Sequence, residues 1–317
     1  MKKILFLLVL CISGGLVCAA ECDAEKDPLL SALSTQLRRN FKTLKKLRPP
    51  VYYMSYQLYD VSSYQAQAKA GGMQYASAED NKTVDISVRV GSVHTDNTHE
   101  LKGTYTNSSV VAKQMPLGRQ DSLALRNALW RGTQAAVEQA QQEYNRVLSN
   151  KQVASENTDT SDDFSLPQKH LFCQEEKPLV YDSAAIETRL KKLSLLGQRY
   201  DFADSSSFVF RFERTNIYFV DSVGNRIFTS RVLGRYMMSM RARNPDGMDL
   251  ERNMIYDGVK MEDFPSEETM AADLERMAQE LKALKNAPTV EPFTGPVILK
   301  NKASGVFFHE ILGHRLE

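Results

Sequence analysis

The chain has 317 residues, 42% hydrophobic and 25% charged, with a formal net charge of +1. That length exceeds most single domains, so two domains are expected. The near-neutral balance argues against a nucleic-acid binder, which would carry a basic excess, and no stretch after residue 20 reaches the ~18 uninterrupted apolar residues that cross a bilayer.

Lys2 and Lys3 precede an apolar run from Ile4 to Val17, and Ala19-Ala20 follow. This is the order of a secretory signal peptide, residues 1–20, too short for a spanning helix. Val17 before Cys18 and Glu21 before Cys22 lack the small residue of a lipid-anchoring signal. Export to the periplasm is expected, with membrane contact only in transit. Cys11 and Cys18 would leave with the signal, while Cys22 and Cys173 remain where disulfides are permitted. Whether they pair or stay separate thiols is open at this level.

Asp27-Pro28 offers an N-cap and a first-turn proline to a helix carrying Leu30, Leu33, Leu37, Phe41, Leu44 and Leu47 on one stripe. Arg38, Arg39, Lys42, Lys45 and Lys46 lie mostly off it. Such a helix packs on its own domain with a solvated basic face, although the same pattern can lie on lipid. Pro49-Pro50 ends it. Val51–Tyr59 and the alternating Val84, Ile86, Val88 and Val90 read as strands, with a hairpin turn at Gly71-Gly72. Asp121-Ser122 opens a long helix carrying Leu125, Leu129, Ala136, Ala140, Tyr144 and Val147. Glu156–Ser165, polar and acidic, reads as a mobile loop.

A shorter helix is predicted over Ser183–Leu196. Strands follow at Ser207–Glu213, Ile217–Asp221 and Arg226–Leu233, with Arg235–Arg243 extending the sheet and turns at Gly224-Asn225 and Asp246-Gly247. Ser266 caps a helix running to about Lys285, its first turn acidic. Pro292–Leu299 reads as a short strand, and a last helix begins near Lys302. Strand and helix blocks are segregated, so the expected class is α+β: antiparallel or mixed sheets with packed long helices. The expected division is residues 21–165 as an N-terminal α+β domain, 166–290 as a second, and 291–317 as the start of a metal-binding region.

That region ends GVFFHEILGHRLE. In HExxH the histidines are four residues apart and, at about 100° per residue, share a helical face and can reach one zinc. His309 and His314 are five apart, which a straight α-helix separates by about 140°. A π turn would repair this, as would a break at Gly313. Elsewhere His94, Asp96 and His99 read as a solvated loop. His170 with Cys173 is a weak metal pair or Cys-His couple, with no third ligand and no oxyanion-hole signature.

Phe293-Thr294-Gly295-Pro296-Val297, then Ala303-Ser304-Gly305 leading into His309-Glu310 and Gly313-His314, resembles the TldD/PmbA family of metalloproteases, in its TldD type. The tight match covers residues 293–299 and 303–317. The resemblance implies that His309 and His314 ligate Zn2+, that Glu310 is the general base, and that Glu317 orients the site or ligates weakly. It implies a zinc-dependent peptidase for unfolded or extended peptides, paired as a homodimer or with a sister subunit of the family. The alternative is a non-catalytic peptide-binding partner subunit. The family takes its third ligand, a cysteine, from a later domain, and Cys22 and Cys173 lie in the wrong segment to match it. The expectation is therefore a truncated chain that binds zinc weakly, shows no peptidase activity alone and holds its last helix loosely. If a third ligand were already present, Glu317 would be the first candidate and Cys173 the second.

Overall fold

The computed structural model describes residues 23–99, 101, 110–115, 123–153 and 161–316. The signal segment, Cys22, Asp121-Ser122 and Glu317 lie outside the described residues.

Helix α1 (Pro28–Leu44) starts where Asp27 accepts the Leu30 amide at 2.7 Å, and it buries Leu29, Leu30, Leu33 and Leu37. Strands β1 (Val51–Lys69) and β2 (Gly72–Val90) form a long hairpin. Its turn is Ala70-Gly71, one residue earlier than expected, with φ of 52° and 82°. Both signs are those of a type I′ turn, whose twist matches the flanking strands, and the Gly71 amide donates to Ser194 Oγ. Strand β3 (Val110–Gln114) lies outside β2, and α2 (Leu123–Val153) follows. Strand β4 (Leu171–Cys173) and α3 (Ser183–Gly197, capped by Asp182) lead into the second strand set.

There β5 (Ser205–Asp221) and β6 (Arg226–Arg243) are each one strand, where the sequence suggested two apiece. The polar midpoints remain in the ladder: Arg214 pairs with Ser62 and Val232, and Ser230 donates to Asn216 at 2.7 Å. Gly234 also stays extended, because a Cβ there would come within 2.6 Å of Phe212 and 2.7 Å of Phe264. Strand β7 (Asp249–Gly258) was not foreseen, since it lacks apolar alternation. Cross-strand ion pairs accompany it: Arg235–Asp257, Arg241–Glu251 and Arg243–Asp249. Helix α4 (Glu267–Lys285) begins where Ser266 accepts the Thr269 amide, as expected.

The seven strands form one sheet in the order β3-β2-β1-β5-β6-β4, with β7 also on β6. Only β4 pairs in parallel, so the fold is α+β with a mixed sheet. Strands from both sides of residue 165 meet in it through the β1–β5 pairing. Successive side chains alternate between faces, and the even-numbered residues of β1, β5 and β6 build both cores. Met54, Tyr56, Leu58, Tyr218 and Val220 pack under α1 and α2. Further along the same strands, Tyr64, Ala66, Phe208, Phe210, Phe212, Tyr236 and Met238 pack under α3 and α4.

Beyond α4 the chain changes character. Residues 287–300 have no regular structure apart from bends at Ala287 and Gly295, and the strand expected over Pro292–Leu299 does not form. Val297 and Ile298 are 78% and 85% exposed. Branched residues favour a strand only when a neighbouring strand completes the ladder, and no described strand lies beside them. Helix α5 (Asn301–Phe308), a π turn (His309–Gly313) and the short α6 (His314–Leu316) complete this arm.

Candidate metal centre

The backbone solves the five-residue spacing by the first of the two repairs. The His314 amide donates to the His309 carbonyl, closing a π turn. His314 thus returns beneath His309, their ring centroids 4.5 Å apart. The helix does not break at Gly313, whose φ is outside the left-handed region; a Cβ there would sit 3.4 Å from His309 Nδ1, about van der Waals contact.

Glu310 joins the pair, its Oε2 3.8 Å from His314 Nε2. One ligand atom from each of His309, Glu310 and His314 can be chosen so that all lie within 4.8 Å of one another. Among the described residues this is the one group of three such side chains gathered closely enough to hold a metal ion. Two nitrogens of one tetrahedral zinc lie roughly 3.4 Å apart at the usual bond lengths, so small rotamer changes would suffice. Imidazole and carboxylate donors suit zinc chemically. All three side chains are exposed, and so are Val306, Phe307, Phe308, Ile311, Leu312 and Leu316 around them. Lys302 approaches the body near β7, where Arg235 chiefly, and Lys302 more weakly, hold the Asp257 carboxyl below its ordinary range.

The other sequence candidates resolve differently. Asp96 is wholly buried, not solvated. It accepts Tyr52 OH and Arg89 at 2.6 Å each, and the Thr98 amide and hydroxyl at 2.7 and 2.8 Å. Asp163 receives the Asp96 amide and pairs with His99 Nδ1 at 2.6 Å, while Asp162 pairs with His94. Phe164 packs on Tyr53 and under Arg89. The described part of the loop expected to be mobile is therefore a tether, built from residues whose composition alone reads as solvent-facing. These histidines face carboxylates in a structural network, not a metal.

Cys173 is disulfide-bonded, which removes it as a thiolate ligand or a nucleophile. The His170–Cys173 couple and the second-choice third ligand both fall with it. Glu317 lies outside the described residues, so its expected part is untested.

No family model and no curated protein sequence matches the chain. Among solved structures, it is similar to a candidate modulator of a DNA gyrase from Thermotoga maritima, with 12% identity and a TM-score of 0.47, over 81% of this chain and 50% of that one. It is also similar to TldE from Thermococcus kodakarensis, at 13% identity and TM-score 0.45, over 78% and 47% of the two chains. A candidate DNA gyrase modulator from Bacteroides thetaiotaomicron gives 12% and 0.42, over 78% and 49%. The chain spans about half the length of each. At these values the likeness carries no argument about what this chain does.

Proposed function

We propose that the chain carries part of the active centre of an exported, zinc-dependent peptidase of the TldD/PmbA type, acting on unfolded or extended peptides. The observation that carries this reading is the π turn, which brings His309, Glu310 and His314 together despite a spacing that a regular helix would spread apart. π turns concentrate at functional sites, and a helix apolar all round is one meant to be covered. The exposed Phe307, Phe308, Ile311 and Leu312 mark the surface over which a covering element, supplying the third ligand, would close.

In this reading His309 and His314 hold the metal through ring nitrogens. Zinc bound there would supply a Lewis acid with an open position for substrate chemistry. Glu310 takes a proton from the attacking water and hands it to the leaving amine nitrogen. An extended peptide would be held by strand addition at a sheet edge, and a like or sister subunit would complete the assembly. The competing reading, a non-catalytic peptide-binding subunit, leaves the juxtaposition of three intact side chains without a use.

The test is Glu310→Gln in a form of the protein that hydrolyses peptides. Hydrolysis should fall by about 10²–10⁴-fold with zinc content retained. Hydrolysis persisting at the parent rate would remove Glu310 from the role of base.

A further inference from the structure

The end of helix α1 and the turn after it carry a run of cations uninterrupted by any acid. Six cations, Arg38, Arg39, Lys42, Lys45, Lys46 and Arg48, fall within eleven residues, and no acid occurs between Asp27 and Asp60. All six are exposed. None forms an ion pair with a carboxylate among the described residues; Arg38 and Arg48 donate only to the backbone carbonyls of Ser34 and Leu47. Elsewhere some exposed cations, such as Arg235, Arg241, Arg243 and Lys192, have a carboxylate partner, and the unpaired ones, such as Arg131, Lys191 and Arg199, are not gathered into so dense a run. The opposite face of α1 is committed to the core through Leu30, Leu33 and Leu37, so the cationic face points away from the sheet.

A second feature adjoins it. Trp130 on α2, the only tryptophan of the chain, is 54% exposed. It lines a groove of about 420 Å³ between α1 and α2, together with Leu44, Leu47 and Val137. Arg39 stands at its rim and Glu138 is the one acid that lines it. An indole beside an aliphatic groove, flanked by cations on long apolar stems, is the side-chain set that settles at a lipid headgroup boundary.

We propose that this face, from Arg38 at the end of α1 to Arg48 in the turn after it, with the Trp130 groove, docks on an anionic phospholipid surface. The contact goes beyond the transit expected of the signal peptide and does not depend on the metal centre. Charge complementarity supplies the attraction, about one increment per cation near such a surface, and the groove receives the interfacial apolar contact. Lipid is favoured over nucleic acid because the chain as a whole is near neutral.

The experiment compares the full chain with Lys42→Glu/Lys45→Glu/Lys46→Glu, so that contributions from the N-terminal apolar segment and from the C-terminal arm cancel. Each is mixed with phosphatidylcholine vesicles with or without about 30% phosphatidylserine, and Trp130 emission and co-sedimentation are read. The parent should bind the anionic vesicles with a blue shift, release in high salt, and ignore the neutral ones. The reversed-charge protein should bind about ten-thousandfold more weakly, which reads as loss of binding. The gentler Lys42→Gln/Lys45→Gln/Lys46→Gln protein should lose about a hundredfold, so a folding defect in the first variant does not decide the matter. Equal binding by parent and both variants would overturn the proposal. A short DNA duplex that binds the parent more tightly than the vesicles do would overturn the lipid assignment.

Discussion

The body of the molecule and its C-terminal arm have similar apolar content and opposite fates. From α1 to α4, residues such as Leu33, Phe210 and Leu274 are wholly buried. In the arm, Phe293, Val297, Ile298 and Leu316 are each more than three-quarters exposed. A side chain is buried only if a partner face exists, and in the body the helices supply that face to the sheet. The arm's partner is not among the described residues. The ordered part of the arm, α5, the π turn and α6, is held by its own backbone hydrogen bonds.

Breaking the body should therefore cost far more than trimming the arm. Phe210 packs at a tilt against Tyr236 and edge-to-face with Phe264, with centroids 4.3 and 5.8 Å away. Phe210→Ala should lower stability by about 3–5 kcal/mol, whereas Phe307→Ala should change it by less than about 0.5 kcal/mol. Denaturant unfolding of the two variants measures the contrast. Equal losses would mean that the arm is packed after all.

The next effect sharpens the boundary of the body. Asp96→Asn should destabilise it by about 2–3 kcal/mol, because the carboxylate receives several hydrogen bonds, one of them from Arg89. Burial alone would raise the Asp96 pKa, but hydrogen bonds from Tyr52, Thr98 and Arg89 together hold it below the ordinary 3.8. A depressed folded-state pKa stabilises fully above the unfolded value and is lost as the pH falls through the folded one. Melting curves of parent and variant should thus differ at neutral pH, begin to converge as the pH falls below about 3.8, and meet below the lower folded-state value. A gap that persists at lower pH would contradict this linkage.

A smaller effect probes the arm's own device. Gly313→Ala should weaken zinc binding by less than about threefold, since the added methyl would meet His309 Nδ1 at 3.4 Å, about van der Waals contact. A loss of about tenfold or more in a zinc titration would mean that the His309 ring needs the space the glycine leaves.

Legibility in the sequence followed the same division. Two helix starts were readable because Asp27 and Ser266 each cap a backbone amide, whereas the Asp182 cap of α3 emerged only in the structure. The α+β class followed from apolar periodicity. Strand β7 was not readable, because Asp257, Glu251 and Asp249 owe their place to arginines on β6. The Asp96 tether was hidden for a related reason: burial of a charge depends on partners distant in sequence, here Tyr52 and Asp163. Local periodicity cannot report them. Pro292–Leu299 shows the reverse error, strand-forming residues without a strand to join. At the metal centre the π turn was one of two readable repairs, and only the backbone decided between them.

The central claim is that His309 and His314 bind one zinc while Glu310 serves the proton. A competition titration of zinc into the chain and its His309→Ala, His314→Ala and Glu310→Gln variants tests it most directly. Either histidine variant should bind about tenfold or more weakly, and Glu310→Gln should stay within about threefold of the parent. Zinc held equally well by both histidine variants, or lost on Glu310→Gln alone, would contradict it.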